Sequence, residues 1–454
     1  MRRAITIFLK DARHLWPRTL IFPALLALAA LLDPVYLDYR LHMALAAACW
    51  YVIVSAIHEE ALPGDRQYWL TRPYTWRDLF AAKALFVLAF VNLPLAVFHA
   101  SVWKAAGIPL LDHLQVLFWK EAFFTALYVL PAAAVAAVTR NVGQTILAGL
   151  LVGGGWFAGQ LLMASRYQPD LFNQEWGRTA ALSAVLAAGA AAVLLQYWRR
   201  RTAVGRGMLA GMLALLVAVQ VSMPRAWAFQ FESLAARERP GNSALRISLD
   251  PGAVATVEQR WRGAVQVTVP IRVEGAPPGL ELSVDWVGGR VKGFPVVRAA
   301  MAPASLYFEL SGDLLPAVRL GPLDVSGTVE LTLFRRRQAT PFAATGRTVV
   351  PGFGVCSARP DVDGVLQAVC QTPVPRFAVF LESGVWGTNW IVPRGLVTDP
   401  LPTSGIFEPL KRYISQFQIN EDLTGARIVT AEPVAHITRD FDFRGVRFRL
   451  GPLR

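Results

Sequence analysis

The first half of the chain alternates apolar runs of roughly 20 residues with short polar connections, a length suited to crossing a bilayer as helix. The runs predict helical spans at 20–32, 41–57, 79–98, 122–138, 145–164, 179–197 and 208–223. That makes seven, the first of them short unless it extends through Pro34 towards Leu37. From Pro224 onward the pattern changes. Segments such as 245–249, 264–269, 280–286, 329–334 and 446–450 alternate apolar and polar residues and are bounded by Gly, Pro or Asp, which predicts antiparallel strands with one wet face. Further strands are expected near 373–381 and 385–391, and a short helix at 408–418. The reading is a polytopic α-helical membrane domain at 1–223 followed by an all-β, sandwich-like domain at 224–454.

Residues 1–18 do not make a signal peptide, because Lys10, Asp11 and Arg13 interrupt the apolar stretch. Ile5, Phe8, Leu9, Ala12 and Leu15 share one helical face, with Trp16 alongside. That pattern predicts a helix lying on the membrane surface. Within the spans, Asn92 either bonds across helices or marks a path for cargo. Pro94 and Pro131 predict kinks, and the Gly153–Gly155 run allows close helix approach. Lys120 and Glu121 are expected at the mouth of the fourth span, where Lys120 can snorkel; the alternative there is an intramembrane ion site. Around the seventh span, Arg199–Arg201, the apolar run and Ala226-Trp227-Ala228 also fit an internal signal sequence with a cleavage site; the alternative is a retained anchor.

Charge then orients the membrane half. The chain carries a formal +13, and its basic residues concentrate in segments 1–18, 58–83, 139–144 and 198–206. With those inside, the other loops hold only Arg40, Lys104, Lys120, Arg166 and Arg178, a positive-inside bias. The N-terminus is then cytoplasmic, and seven spans place the β-rich half outside the cytoplasm, in a multi-pass protein of the inner (plasma) membrane. The same bias accounts for the basicity without nucleic acid, since no basic stripe with stacking aromatics lies outside those loops.

Chemistry is sparse. There is no GxSxG, HExxH or P-loop, and no zinc spacing, so no catalytic residue, metal or cofactor is expected. Asp361 and Asp363 read as a turn rather than a calcium loop. Trp286, Trp386 and Trp390 read as core or as a binding surface. Of the three cysteines, Cys49 lies in an apolar run. Cys356 and Cys370 either form a disulfide closing a small loop or stay as two buried thiols.

The polar segment 58–83, HEEALPGDRQYWLTRPYTWRDLFAAK, holds the most distinctive pattern. Arg66, Arg72 and Arg77 can pair with acidic groups on a partner or with anionic lipid. Trp69, Tyr74 and Trp76 can anchor it at the interface, and Thr75 is a candidate N-cap for the next helix. Its acidic residue (Glu59 or Glu60), Gly64, Leu70-Thr71-Arg72-Pro73 and Lys83, together with the surface helix ahead of the first span, resemble the permease subunit of ABC-2-type transporters over roughly residues 1–200. That resemblance implies that the segment docks on a separate ATP-binding subunit, with permeases paired as homo- or heterodimers in the lipid bilayer. The family core has six spans and lacks the β-rich region. A rival expectation is a membrane anchor presenting a β-domain for binding or envelope assembly without transport.

Overall fold

The computed structural model describes residues 2–32, 39–59, 75–151, 154, 175–222, 245–259, 264–275, 279–291, 294–295, 298–302, 305–311, 321–342, 346–360, 366–373, 378–383, 387–393, 407–417 and 425–450. The described helices are α1 (Arg2–Thr19), α2 (Ile21–Leu32), α3 (Tyr39–His58), α4 (Trp76–Ala105), α5 (Leu111–Val138), α6 (Val142–Leu151), α7 (Glu175–Arg199) and α8 (Thr202–Ser222).

Among the described residues three stretches are long and apolar enough to cross a membrane: Arg40–His58, α4 and α5. A fourth results if α1 and α2, bent by 45°, count as one broken span. The expected seven spans are not supported. The run at 20–32 is a 12-residue helix continuing out of α1, and 12 residues rise only about 18 Å against a hydrocarbon core of about 30 Å. The run at 145–164 is described only to Leu151 and at Gly154, and the described apolar stretch of α8, Thr202–Leu215, is too short. The two central spans are instead longer than expected, because charged and polar residues read as their boundaries lie inside continuous helix.

Helix α1 divides its circumference three ways. Ala4, Ile7, Asp11 and Leu15 recur at helical spacing and are buried against the bundle. Ile5, Leu9 and Trp16 form an adjoining apolar stripe that is exposed, and the basic residues occupy the remaining arc. The face expected to meet the membrane is therefore split, half spent on protein packing.

The prolines at 94 and 131 stand in the same local arrangement. Each is the second residue after a π-helical turn, Leu88–Asn92 in α4 and Thr125–Val129 in α5. Proline lacks an N–H and its ring crowds the carbonyl four residues back. The wider turn relieves that crowding while keeping the helix continuous. The bundle interior is built on Phe22, Leu45, Ile53, Leu79, Phe86 and Leu95.

The C-terminal half forms two sheets. The first runs β16 (Phe448–Leu450), β2 (Ala255–Gln259), β3 (Ala264–Glu274), β7 (Ser305–Ser311), β6 (Arg298–Ala302), with β1 (Arg246–Leu249) also paired to β3. The second has ten strands. It begins β5 (Phe294–Pro295), β4 (Leu280–Val291), β8 (Leu323–Pro341), β15 (Arg427–Val446) and β12 (Ala378–Ser383). It continues β13 (Gly387–Pro393), β14 (Lys411–Phe417), β11 (Leu366–Thr372), β10 (Gly354–Pro360) and β9 (Arg347–Val350). Inward residues of both sheets, among them Val267, Phe308, Val325, Leu331 and Phe441, share one core. A smaller core around Phe353, Cys356, Cys370 and Ile428 underlies the far end of the large sheet. The long strand β15 contributes to both regions, Ile428 to the smaller core and Ile437 and Phe441 to the larger.

The helix expected at 408–418 is a strand, β14. It pairs along its length with β11, from Thr372 opposite Lys411 to Leu366 opposite Phe417. Cross-strand partners for Tyr413 and Ile414 outweigh a weak helical pattern in so short a segment. Strands β12 and β13 lie near the two expected at 373–381 and 385–391. Asp361, Asp363 and Trp386 fall outside the described residues.

Candidate functional site

Two polar assemblies interrupt the apolar helical half, one at each end of α4. The first lies where α4 begins. Thr75 caps the helix: its hydroxyl accepts from the Asp78 N–H, and the Asp78 carboxylate accepts from the Thr75 N–H, a reciprocal capping box. Two turns further on, Lys83 Nζ donates to Asp11 Oδ2 at 2.8 Å. Lys83 is 5 % exposed and Asp11 0 %. The pair joins α1 to α4 within an apolar surround, where an unpaired charge would be costly. His14 Nε2 stands 3.4 Å from Glu59 Oε1, tying α1 to the end of α3 as well. His58 Nε2 lies 3.0 Å from the Ala136 carbonyl, and Arg206 Nε donates to the Val138 carbonyl at 3.0 Å, so these side chains cap the C-terminal end of α5.

Of the residues singled out in segment 58–83, Glu59, Arg77 and Lys83 are described; Glu60, Gly64, Arg66, Trp69, Arg72 and Pro73 lie outside the described residues. Arg77 is exposed, its guanidinium 5.5 Å from the centre of the Trp76 ring. Lys83 is not exposed; its charge is spent on Asp11.

The second assembly follows the α4–α5 hairpin towards its closed end. Asn92 Nδ2 donates to Thr125 Oγ1 at 2.6 Å and to Glu121 Oε2 at 3.3 Å. Those first two residues lie in the two π turns, so the bond ties one irregular turn to the other. His99 Nδ1 is 3.3 Å from Glu121 Oε1. Nearer the hairpin's end, a segment of the β-rich half enters the bundle. The Trp103 indole N–H donates to the Pro409 carbonyl at 2.8 Å, and the Lys120 ammonium donates to the Pro409 carbonyl at 2.8 Å and to the Glu408 carbonyl. Phe407 is 1 % exposed, its ring against Phe22, His42, Phe124 and Tyr128. Leu410 and Val355 join the same apolar cluster. Residues 407–410 thus act as a finger gripped by two helices through main-chain carbonyls and one aromatic ring.

Lys120 and Glu121 were expected at the mouth of a span. They lie about ten residues into α5, whose first turn starts at Leu111. Asn92 makes the interhelical bonds that were one of its two readings. Cys356 and Cys370 sit directly opposite across β10 and β11 and are joined by a disulfide, with Thr372 Oγ1 nearby donating to the Phe353 carbonyl. Sequence reasoning missed Asp11 and the finger. Asp11 carried a usable signal, a lone acid on the apolar face of α1; residues 407–410 carried none.

Comparison with known proteins adds no identity. No family model matches the chain, and no curated protein matches it. Among the described residues no group of three His, Cys, Asp or Glu side chains is placed to hold a metal ion. What the geometry offers is mechanical: α4 carries a buried ionic joint near its start and a grip on the β-rich half near its end.

Proposed function

We propose that the chain is the membrane-spanning permease subunit of an ABC-type transporter, driven by a separate ATP-binding subunit that docks on segment 58–83. The buried Asp11–Lys83 pair is the observation that carries this reading. A force applied to the segment reaches α4 just beyond its cap, and the ion pair delivers the same displacement to α1. A loop held only by lipid has no use for such a joint. Arg66, Arg72 and Arg77 supply the charge that meets acidic groups of the ATPase. The missing P-loop fits a motor on another chain.

Sidedness has separate support. Trp103 lies 20 residues beyond Lys83 in α4, about 30 Å along the axis, which is the thickness of the hydrocarbon core. If α4 crosses the bilayer, the finger and segment 58–83 are on opposite faces whatever the total number of spans. With the basic segment cytoplasmic, the β-rich half is extracytoplasmic, where the Cys356–Cys370 disulfide is chemically at home.

The decisive experiment is co-purification with an ATPase encoded beside this chain, before and after reversing charge at Arg66, Arg72 and Arg77. Loss of the partner is expected. Full-strength binding by the triple variant refutes docking at this segment, and no ATPase in any preparation favours the anchor reading. Reporter fusions after residue 230 check the side independently; cytoplasmic activity there overturns the orientation.

A further inference from the structure

The α4–α5 hairpin brings a carboxylate and a buried imidazole face to face in the interior of the helical half. Glu121 lies ten residues past Leu111, about 15 Å along the helix. Its Oε2 accepts from the Asn92 amide, while Oε1 has no hydrogen-bond partner among the described residues and stands 3.3 Å from His99 Nδ1. His99 is fully buried and also faces the backbone of Phe407. Lys120, the neighbour of Glu121, holds the carbonyls of Glu408 and Pro409. An ionisable side chain buried among apolar ones is costly without a role, and a carboxylate oxygen facing an imidazole nitrogen shares a proton readily.

We propose that Glu121 and His99 form a proton-binding site inside the hairpin, and that its occupancy is coupled to the seating of the Phe407–Pro409 finger. A hydronium ion gives a proton to Glu121 Oε1 and leaves as water, and the new O–H donates to His99 Nδ1; no bond within the protein breaks. The carboxylate's negative charge is then lost beside Lys120. The ammonium keeps Glu408 as its counter-charge and Lys411 as an opposing one, so the field that holds it against the finger carbonyls weakens. Of the other titratable groups on these helices, His42 and Tyr128 pack on the Phe407 ring, His113 packs on Trp103, and Cys49 is buried on α3. Acidification therefore loosens the finger. The proposal does not rest on the transporter reading.

The test places 4-fluorophenylalanine at position 407 of the full chain in lipid nanodiscs and follows its fluorine spectrum from about pH 5 to 8, the range in which histidine-linked protons exchange. Two environments are expected. The ratio of released to seated ring should rise by up to about tenfold per pH unit of acidification, as a one-proton linkage requires. Glu121→Gln should hold the released signal across the range, and Glu408→Gln should retain the pH response. A wild-type spectrum unchanged by pH overturns the proposal, as does a Glu121→Gln protein that titrates like wild type. Should Glu121→Gln fail to assemble, His99→Asn decides: a retained pH response there overturns it too. A response abolished by His42→Gln or His113→Gln moves the site elsewhere and equally refutes this one.

Discussion

Asp11 and Lys83 are 72 residues apart in sequence and meet where neither could stand alone. Removing one charge from a buried pair leaves the other without solvation, at a cost of about 3–5 kcal/mol. Replacing both by apolar side chains removes that penalty. Asp11→Leu should therefore destabilise the detergent-solubilised protein by about 3–5 kcal/mol and Lys83→Met by less, because Lys10 Nζ also stands 3.5 Å from Asp11, and Asp11→Leu with Lys83→Met should recover most of the loss. Thermal unfolding of the two single variants and the double checks this; additive losses would show that the two charges do not act as a pair. A second residue-scale case lies in the β-rich half. Gly327 stands opposite Gly289 on one side and Phe441 on the other. A Cβ there would lie 2.1 Å from the Gly288 carbonyl oxygen and 2.6 Å from the Phe441 ring. Neither the backbone of a paired strand nor a packed ring yields cheaply. Gly327→Ala should cost about 3 kcal/mol, read as faster amide exchange across β4, β8 and β15.

At the scale of elements, the π turns of α4 and α5 stand out. Each precedes a Leu-Pro pair, and the Asn92–Thr125 bond ties them together. A proline alone would predict a kink at its own position. The irregularity instead sits one turn earlier, and two such turns are matched across the hairpin. The disulfide plays a comparable part in the large sheet. It links neighbouring strands over a separation of 14 residues, so its loop is short and its effect on the unfolded chain is bounded. Cys356→Ser with Cys370→Ser should lower the stability of the smaller β core by about 3 kcal/mol, measured by denaturant unfolding with and without reductant. Reductant should leave the double variant unchanged.

For the whole molecule, the finger decides how the halves communicate. Phe407→Ala removes the ring from its aromatic surround, a loss of about 3–5 kcal/mol if the site does not collapse. Amide exchange in 407–417 should accelerate while the interior of α3, α4 and α5 stays protected. Unchanged exchange there would mean the carbonyl grip suffices. The division into a helical and a β-rich half was readable in the sequence because burial periodicity is local: β3, β4 and β8 each show alternation over a few residues. The capped start of α4 at Thr75 was readable for the same reason. The extents of α4 and α5 were not. Lys83, Lys120 and Glu121 look like ends of apolar runs until their partners are known, and those partners are remote. Lys120 reaches a carbonyl 288 residues away. The segment at 408–418 was misread because its conformation is set by pairing with β11, which no local pattern records. The first expected span was misread because α2 is a short helix that continues from α1 through a bend instead of starting afresh.

The order of strands in the two sheets has a consequence for biosynthesis. Strand β15 lies between β8 and β12 in the large sheet, and β16 runs parallel to β2 at the margin of the small one. Both sheets therefore wait for residues 427–450, while the helical half emerges from the ribosome far earlier. Throughout that interval β8 presents an unpaired edge of 19 residues, and until residue 407 is made the hollow on the hairpin that receives Phe407 has no occupant from its own chain. A nascent molecule is thus exposed at the hairpin until residue 407 is made and along β8 until residues 427–446 are. Pulse-labelled chains stalled before residue 427 should be held by chaperones of the compartment that receives the β-rich half, and chains released after residue 450 should not.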